Sequence, residues 1–268
     1  MAPEIISIGL GLFIGIILAL TGAGGAILSI PLLIFFLRID ITRAAPIGLF
    51  ALMLSAGVAA MLGLKTGKVR YKAAGLMAFC GICMAPIGVF LTHYLPSNII
   101  GILFSFVLAF VAWRMWQGSN TEQITVTAAP PCQINPATSK LFWTAPCTAR
   151  LGLAGSLAGL LSGLLGVGGG FVIVPVLRKV SDFNMATIIA TSLAVIALVS
   201  SSGFLTYLLH DSIDWAIALP FGISTLVGTL IGKSFAAQIP THMSQRGFAV
   251  LALIVALVLA TKNLITFI

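Results

Sequence analysis

Apolar residues run along this chain in eight long blocks, divided by short polar stretches and by one longer polar interruption near the middle. In the first half the blocks cover residues 5–37, 44–64, 73–95 and 99–116; in the second they cover 151–177, 186–209, 215–237 and 243–262. Crossing a hydrocarbon core of about 30 Å takes roughly 20 helical residues, and runs such as 44–64 and 243–261 are long enough. The short alternating segments of a β-barrel are absent. The pattern predicts an all-α, polytopic helical membrane protein. The first block opens with Met-Ala-Pro-Glu and has no basic n-region, so it is kept in the mature fold rather than read as a cleaved signal.

The blocks repeat. A shift of 144 residues lays Gly15 on Gly159, Gly22 on Gly166, Gly24 on Gly168, Gly25 on Gly169 and Pro31 on Pro175, and continues without a gap to Phe104 on Phe248. The expected organisation is a first membrane repeat over 1–118, a cytoplasmic linker over 119–149 and a second repeat over 150–268. The linker composition, with Pro130, Pro131, Pro136 and Pro146 among Ser, Thr and Asn, suits a flexible connection. Asp40 with Thr42, and Asn184 at the equivalent place, are expected N-caps. Ser97 and Thr241 hold a second matched pair of helix starts. Tyr71 and Trp215 begin the third block of each repeat, where an amphipathic ring suits the membrane interface.

Composition strengthens the class and charge orients it. Hydrophobic residues make up 59% and charged residues 7%, against roughly 25% charged in soluble domains. The net charge of +8 comes from scattered helix ends, with no basic stripe to bind nucleic acid. The loop after the second block carries Lys65, Lys68, Arg70 and Lys72, whereas its counterpart carries His210, Asp211 and Asp214. The positive-inside rule puts the first of these in the cytoplasm and the second outside, which predicts two inverted-topology repeats, each a Gly-broken first segment plus three transmembrane helices. The first segment must then be a re-entrant hairpin or two short spans. Arg38 and Arg43 fall on the outer side in this scheme. Four cysteines, two of them inside an apolar block, predict no disulfide scaffold.

Candidate chemistry lies at the two breaks. The first reads Thr21-Gly22-Ala23-Gly24-Gly25-Ala26 and the second Gly166-Val167-Gly168-Gly169-Gly170. Backbone turning at membrane depth is tolerated only beside protein or a polar cavity, and helix N-termini starting there turn N–H groups and a positive dipole end toward an anion. Thr21, Gly22, Gly24, Gly25, Gly166, Gly168, Gly169 and Gly170 are therefore expected to bind substrate, with hydroxyl donors from Ser55, Thr191 and Ser192. The triple serine Ser200, Ser201 and Ser202 reads instead as locally bonded, since helical hydroxyls usually bond their own backbone. Lys233 is expected to snorkel. The three histidines, near helix ends, propose no metal site, and no nucleotide-binding loop or cofactor motif is present. A different reading takes Cys80-x-x-Cys83 as a membrane thiol–disulfide electron carrier; the pair does not repeat and its surroundings are apolar.

Motif order adds a family resemblance. Gly166 to Pro175 reads Gly-x-Gly-Gly-Gly-x-x-x-x-Pro, followed by Ala-Thr-Ser-Leu at 190–193, Asp-Trp-x-x-Ala at 214–218 and Gly-x-x-x-Gly at 228–232. This resembles the sulfite exporter TauE/SafE family of membrane permeases. The first half is a weaker copy, with Ala26 for the third glycine, Ile47-Gly48 for Thr-Ser and Pro86-Ile87-Gly88 departing from the last motif. The resemblance implies a multi-pass bacterial-type inner (plasma) membrane transporter, not an enzyme, whose partners are a small sulfur-containing or organic anion such as sulfite, sulfoacetate or another sulfonate, the lipid bilayer, and a coupling ion if transport is ion-driven. It leaves the particular substrate, the direction of transport and the oligomeric state open.

Overall fold

The computed structural model describes residues 3–21, 25–119, 132, 144–210, 213–236 and 241–265. Among them the chain is nearly all helical: α1 (Pro3–Thr21), a short 3-10 turn (Gly25–Leu28), α2 (Ser29–Leu37), α3 (Ile41–Lys65), α4 (Tyr71–Tyr94), α5 (Ser97–Ser119), α6 (Ala145–Leu165), α7 (Gly170–Val180), α8 (Met185–His210), α9 (Trp215–Ala236) and α10 (Thr241–Ile265). Six of these, α1, α3, α4, α6, α8 and α9, contain spans long and apolar enough to cross a membrane. The element starts keep the sequence period, Met185 against Ile41, Trp215 against Tyr71 and Thr241 against Ser97.

Each first block resolves into one long helix and one short one. α7 has 11 residues, about 16 Å at 1.5 Å per residue, so it reaches only halfway through a bilayer core. It doubles back along α6, since a Cβ added at Gly169 would strike Ala158. Cys132 binds the two open ends: its N–H donates to Val180 O at 3.1 Å, and it is disulfide-bonded to Cys147 with a Cα–Cα distance of 5.1 Å. The start of α6 and the end of α7 therefore share one end of the molecule, as both a re-entrant hairpin and a pair of short spans require. The disulfide corrects the sequence expectation; linker and first helical turn meet in space, and two isolated cysteines in a sequence do not announce that. Apart from Cys132, the linker up to residue 143 lies outside the described residues.

Packing is reciprocal between the halves and runs through glycine. α1 packs on α9, and α6 on α4. Gly11 and Gly15 lie against Phe221, Thr225 and Gly228, while Gly155, Gly159 and Gly163 lie against Met77, Gly81 and Ala85. At most of these positions an added Cβ would overlap a neighbouring backbone, so the small residues permit a helix approach that larger ones forbid. α3 and α8 cross in opposite directions at the centre: Gly63 meets Ala190, and Gly203 meets Leu49. Large apolar side chains face outward, among them Phe79, Phe90, Phe106, Leu153 and Leu257, as a lipid-facing surface requires.

The expected caps divide. Asn184 Oδ1 accepts the Thr187 N–H at 2.8 Å. Asp40 occupies the N-cap of α3 but caps with its carbonyl alone, which accepts from Arg43 and Ala44; its carboxylate makes no capping bond. Pro96 O takes the Ile99 and Ile100 amides at the start of α5. The side chains of Ser97 and Thr241 lie outside the described residues. Tyr71 and Trp215 are exposed at their helix starts, and Lys233 is exposed near the end of α9, the position a snorkelling side chain needs.

Candidate functional site

The second break turns through three left-handed glycines, Gly166 (φ 70°), Gly168 (φ 72°) and Gly169 (φ 66°). A side chain at these φ values is strained whatever space surrounds it, and here there is little. A Cβ at Gly166 would lie 2.6 Å from Ala45 Cα and from Ile30 Cδ1, and one at Gly168 would lie 2.9 Å from Leu52 Cδ1 and 3.0 Å from Ser200 Oγ. Gly166 closes α6 by donating to Ser162 O at 2.8 Å, and Gly169 O accepts the Val172 and Ile173 amides as α7 starts. The first N–H groups of α7 have no partner within the helix and form its positive end.

The first break is built differently. Gly22 and Gly24 lie outside the described residues. Thr21 donates to Ile17 O at 2.7 Å and accepts the Gly25 N–H at 2.9 Å, so its hydroxyl is occupied in holding the turn. Ser29, which the sequence reading passed over, donates to Ala26 O at 2.7 Å. The two breaks meet over α3: a Cβ at Gly48 would be 3.2 Å from Gly166 O and 3.3 Å from Ser29 Oγ. Gly25, Gly166, Gly168, Gly169 and Gly170 are all buried.

The hydroxyl candidates do not all converge. Ser55 donates to Ala51 O at 2.7 Å and Ser192 to Ile189 O at 2.9 Å, each within its own helix. Thr191 accepts the Arg70 N–H at 3.1 Å, where the start of α4 meets α8. Nine residues along α8 separate it from Ser200, a rise of about 13 Å. The triple serine splits three ways: Ser201 bonds Ala197 O as expected, Ser202 reaches across to Ile82 O at 3.2 Å, and Ser200 has no partner among the described residues. Ser162 is likewise buried and unpartnered. Pattern reading had no means to single out either, because an unsatisfied hydroxyl is a property of three-dimensional surroundings.

The buried polar side chains among the described residues are Ser and Thr hydroxyls together with the Tyr207 phenol, which donates to Gly163 O at 3.2 Å, and none is charged. No cluster of metal-ligating side chains occurs among them. Cys80 and Cys83 are unbonded on α4, with Cys83 exposed.

A helical bundle with outward apolar faces, paired short broken helices and no buried charge among the described residues is a multi-pass membrane protein. The sulfite exporter TauE/SafE family model matches residues 7–259, and the chain belongs to that family. It is 29% identical over 259 residues to a probable membrane transporter protein of Xylella fastidiosa, covering 94% of this chain and 93% of that one. It is 25% identical to the probable membrane transporter proteins YunE of Bacillus subtilis, covering 96% of each chain, and MJ0441 of Methanocaldococcus jannaschii, covering 87% and 86%. No solved structure matches the chain. With six helices long and apolar enough to span a bilayer, it is a multi-pass membrane protein.

Proposed function

We propose that this protein carries small sulfur-containing or organic anions, such as sulfite, sulfoacetate or other sulfonates, by alternating access around the two Gly-rich breaks. The observation that carries this reading is the meeting of both breaks over Gly48 beside the start of α7. A helix N-terminus supplies roughly half a unit of positive charge, and neutral hydroxyls donate without the cost of burying a fixed cation. Such a site can hold an oxyanion and still release it, which transport requires. The antiparallel crossing of α3 and α8 and the reciprocal packing of α1 on α9 and α6 on α4 support two inverted repeats, over 1–118 and 150–268, as the moving parts. The Cys80–Cys83 electron-carrier reading gains no support from an unbonded pair with one exposed thiol.

We infer that the linker over 119–149 is cytoplasmic and both termini are outside. The end of the bundle holding Cys132 also holds Arg70, against Thr191 and Phe183, and with it the basic loop, Arg178 and Lys179. Glu4, Asp40 and Asp214 belong to the other end, along with Arg38 and Arg43. Disulfides favour oxidising compartments, which taken alone puts the linker outside. The charge bias outweighs it, because it acts as each span inserts; the sulfurs, on residues 1% and 0% exposed, are then shielded from cytoplasmic thiols. A C-terminal alkaline phosphatase fusion should be active and a green fluorescent fusion dark; the reverse pattern inverts the orientation.

The transport reading is tested by counterflow of radiolabelled sulfite in proteoliposomes, competed by sulfoacetate, taurine, acetate and chloride. Saturable flux with a defined competition order is the expected result. Absence of flux for sulfite and for every competitor offered as substrate would remove the anion-carrier reading.

A further inference from the structure

We propose that the anion is held by the second break alone, through the hydroxyls of Ser162 and Ser200 together with the first amides of α7, and that the first break serves as its wall. This rests on the anion-transport reading above and deepens it.

The two serines are 0% exposed, and their hydroxyl oxygens have no hydrogen-bond partner among the described residues. They are the exceptions in this interior. Thr21, Ser29, Ser55, Ser192, Ser201 and Thr225 all bond a carbonyl three or four residues back, as helical hydroxyls usually do. An unsatisfied buried hydroxyl is costly, so two in one place point to a group that completes them. Both flank the same turn. Ser200 Oγ would lie 3.0 Å from a Cβ on Gly168. Ser162 stands one helical turn beyond Ala158, on the face of α6 that packs against Gly169, and its carbonyl takes the Gly166 amide. Between them begins α7, an 11-residue helix whose first turn offers its own N–H groups.

The ligand chemistry follows from the donors. Hydroxyls and amides converge with no buried charged side chain among the described residues, which suits an anion whose charge is spread over several oxygens: a sulfite, a sulfonate or a carboxylate. The pairing is asymmetric. At a spacing of 144 residues Ser162 faces Leu18 and Ser200 faces Ala56, both apolar and fully buried. The first half offers no hydroxyl at either position, and Thr21 beside its own break is committed to Gly25.

The test uses Ser162→Ala, Ser200→Ala and the control Ser201→Ala in proteoliposomes, with radiolabelled sulfite and then sulfoacetate as probes, alongside thermal unfolding of each purified protein. Losing one hydrogen bond to an anion should raise the half-saturation concentration by about tenfold or more, with Ser200→Thr restoring much of it and Ser201→Ala changing it less than about twofold. In the absence of substrate the two alanine variants should melt at the same temperature as the parent or higher, because each removes an unpaired buried hydroxyl. Wild-type half-saturation in both variants, or a lowered melting temperature in both, would overturn the assignment while leaving anion transport standing. A wild-type protein that neither carries either probe nor is thermally protected by it would overturn the assignment and the transport reading together.

Discussion

The two breaks occupy equivalent places in the chain, yet they are built from different chemistry. The second turns on three left-handed glycines and needs no side chain to close it. The first places Ala26 where the second has Gly170, continues as a 3-10 turn, and fastens Gly25 with the Thr21 hydroxyl. Glycine makes the turn by backbone freedom and leaves nearby donors unspent; a threonine that makes the turn spends its own. The open end of the second hairpin is tied by Cys132–Cys147, while Pro3 stands at the equivalent place in the first half. Thr191, which receives the Arg70 amide, corresponds to Ile47. The buried hydroxyls beside the two breaks, Thr21 and Ser29 at the first and Ser162 and Ser200 at the second, do not fall at matched positions.

The sharpest way to break this comparison is to fill the second turn. Gly169→Val would need both a positive φ and the space taken by Ala158, and Gly168→Val would press on Leu52, Ile196 and Ser200. Each should abolish sulfite counterflow while leaving membrane insertion detectable; normal flux in both variants would show that the broken helix is not the site. Gly170→Ala, which copies Ala26 of the first break, should by contrast retain transport.

Next in size is the tie on the second hairpin. Cys132→Ser and Cys147→Ser each open a bridge between residues 15 apart, for which chain-entropy estimates give about 3 kcal/mol. Thermal unfolding with and without reductant should show the loss in the parent and none in either variant. A smaller effect is expected from Thr191→Val. It removes the acceptor for Arg70 N–H, costing about 1 kcal/mol of stability, with the half-saturation concentration for sulfite unchanged. A large shift in that constant would return Thr191 to the substrate site. Smallest of all, the double variant Cys80→Ser with Cys83→Ser should transport normally, and a severe loss would favour the electron-carrier reading.

The helices, their eight-block order, the period of 144 and the Gly-rich interruptions were legible in the sequence, because burial in lipid demands long apolar runs and a backbone reversal demands glycine. Helix ends fell within a few residues of the apolar blocks for the same reason; polar residues and proline end a run whatever it packs against. The hydroxyls were harder. Ser55, Ser192, Ser200 and Ser201 look alike in sequence, each a small polar residue in an apolar helix. Which of them spends its hydrogen on its own carbonyl depends on the neighbours that surround it. Tertiary structure alone separated Ser200 from Ser201, carried Thr191 to the start of α4, and left Ser162, four residues before Gly166 in the chain, without a partner among the described residues. It also joined Cys132 to Cys147, a contact that no local pattern encodes. Periodicity and hydropathy are summed along one segment and survive without context. Hydrogen-bond satisfaction and side-chain convergence belong to pairs of segments distant in the chain, and they exist only once those segments have packed.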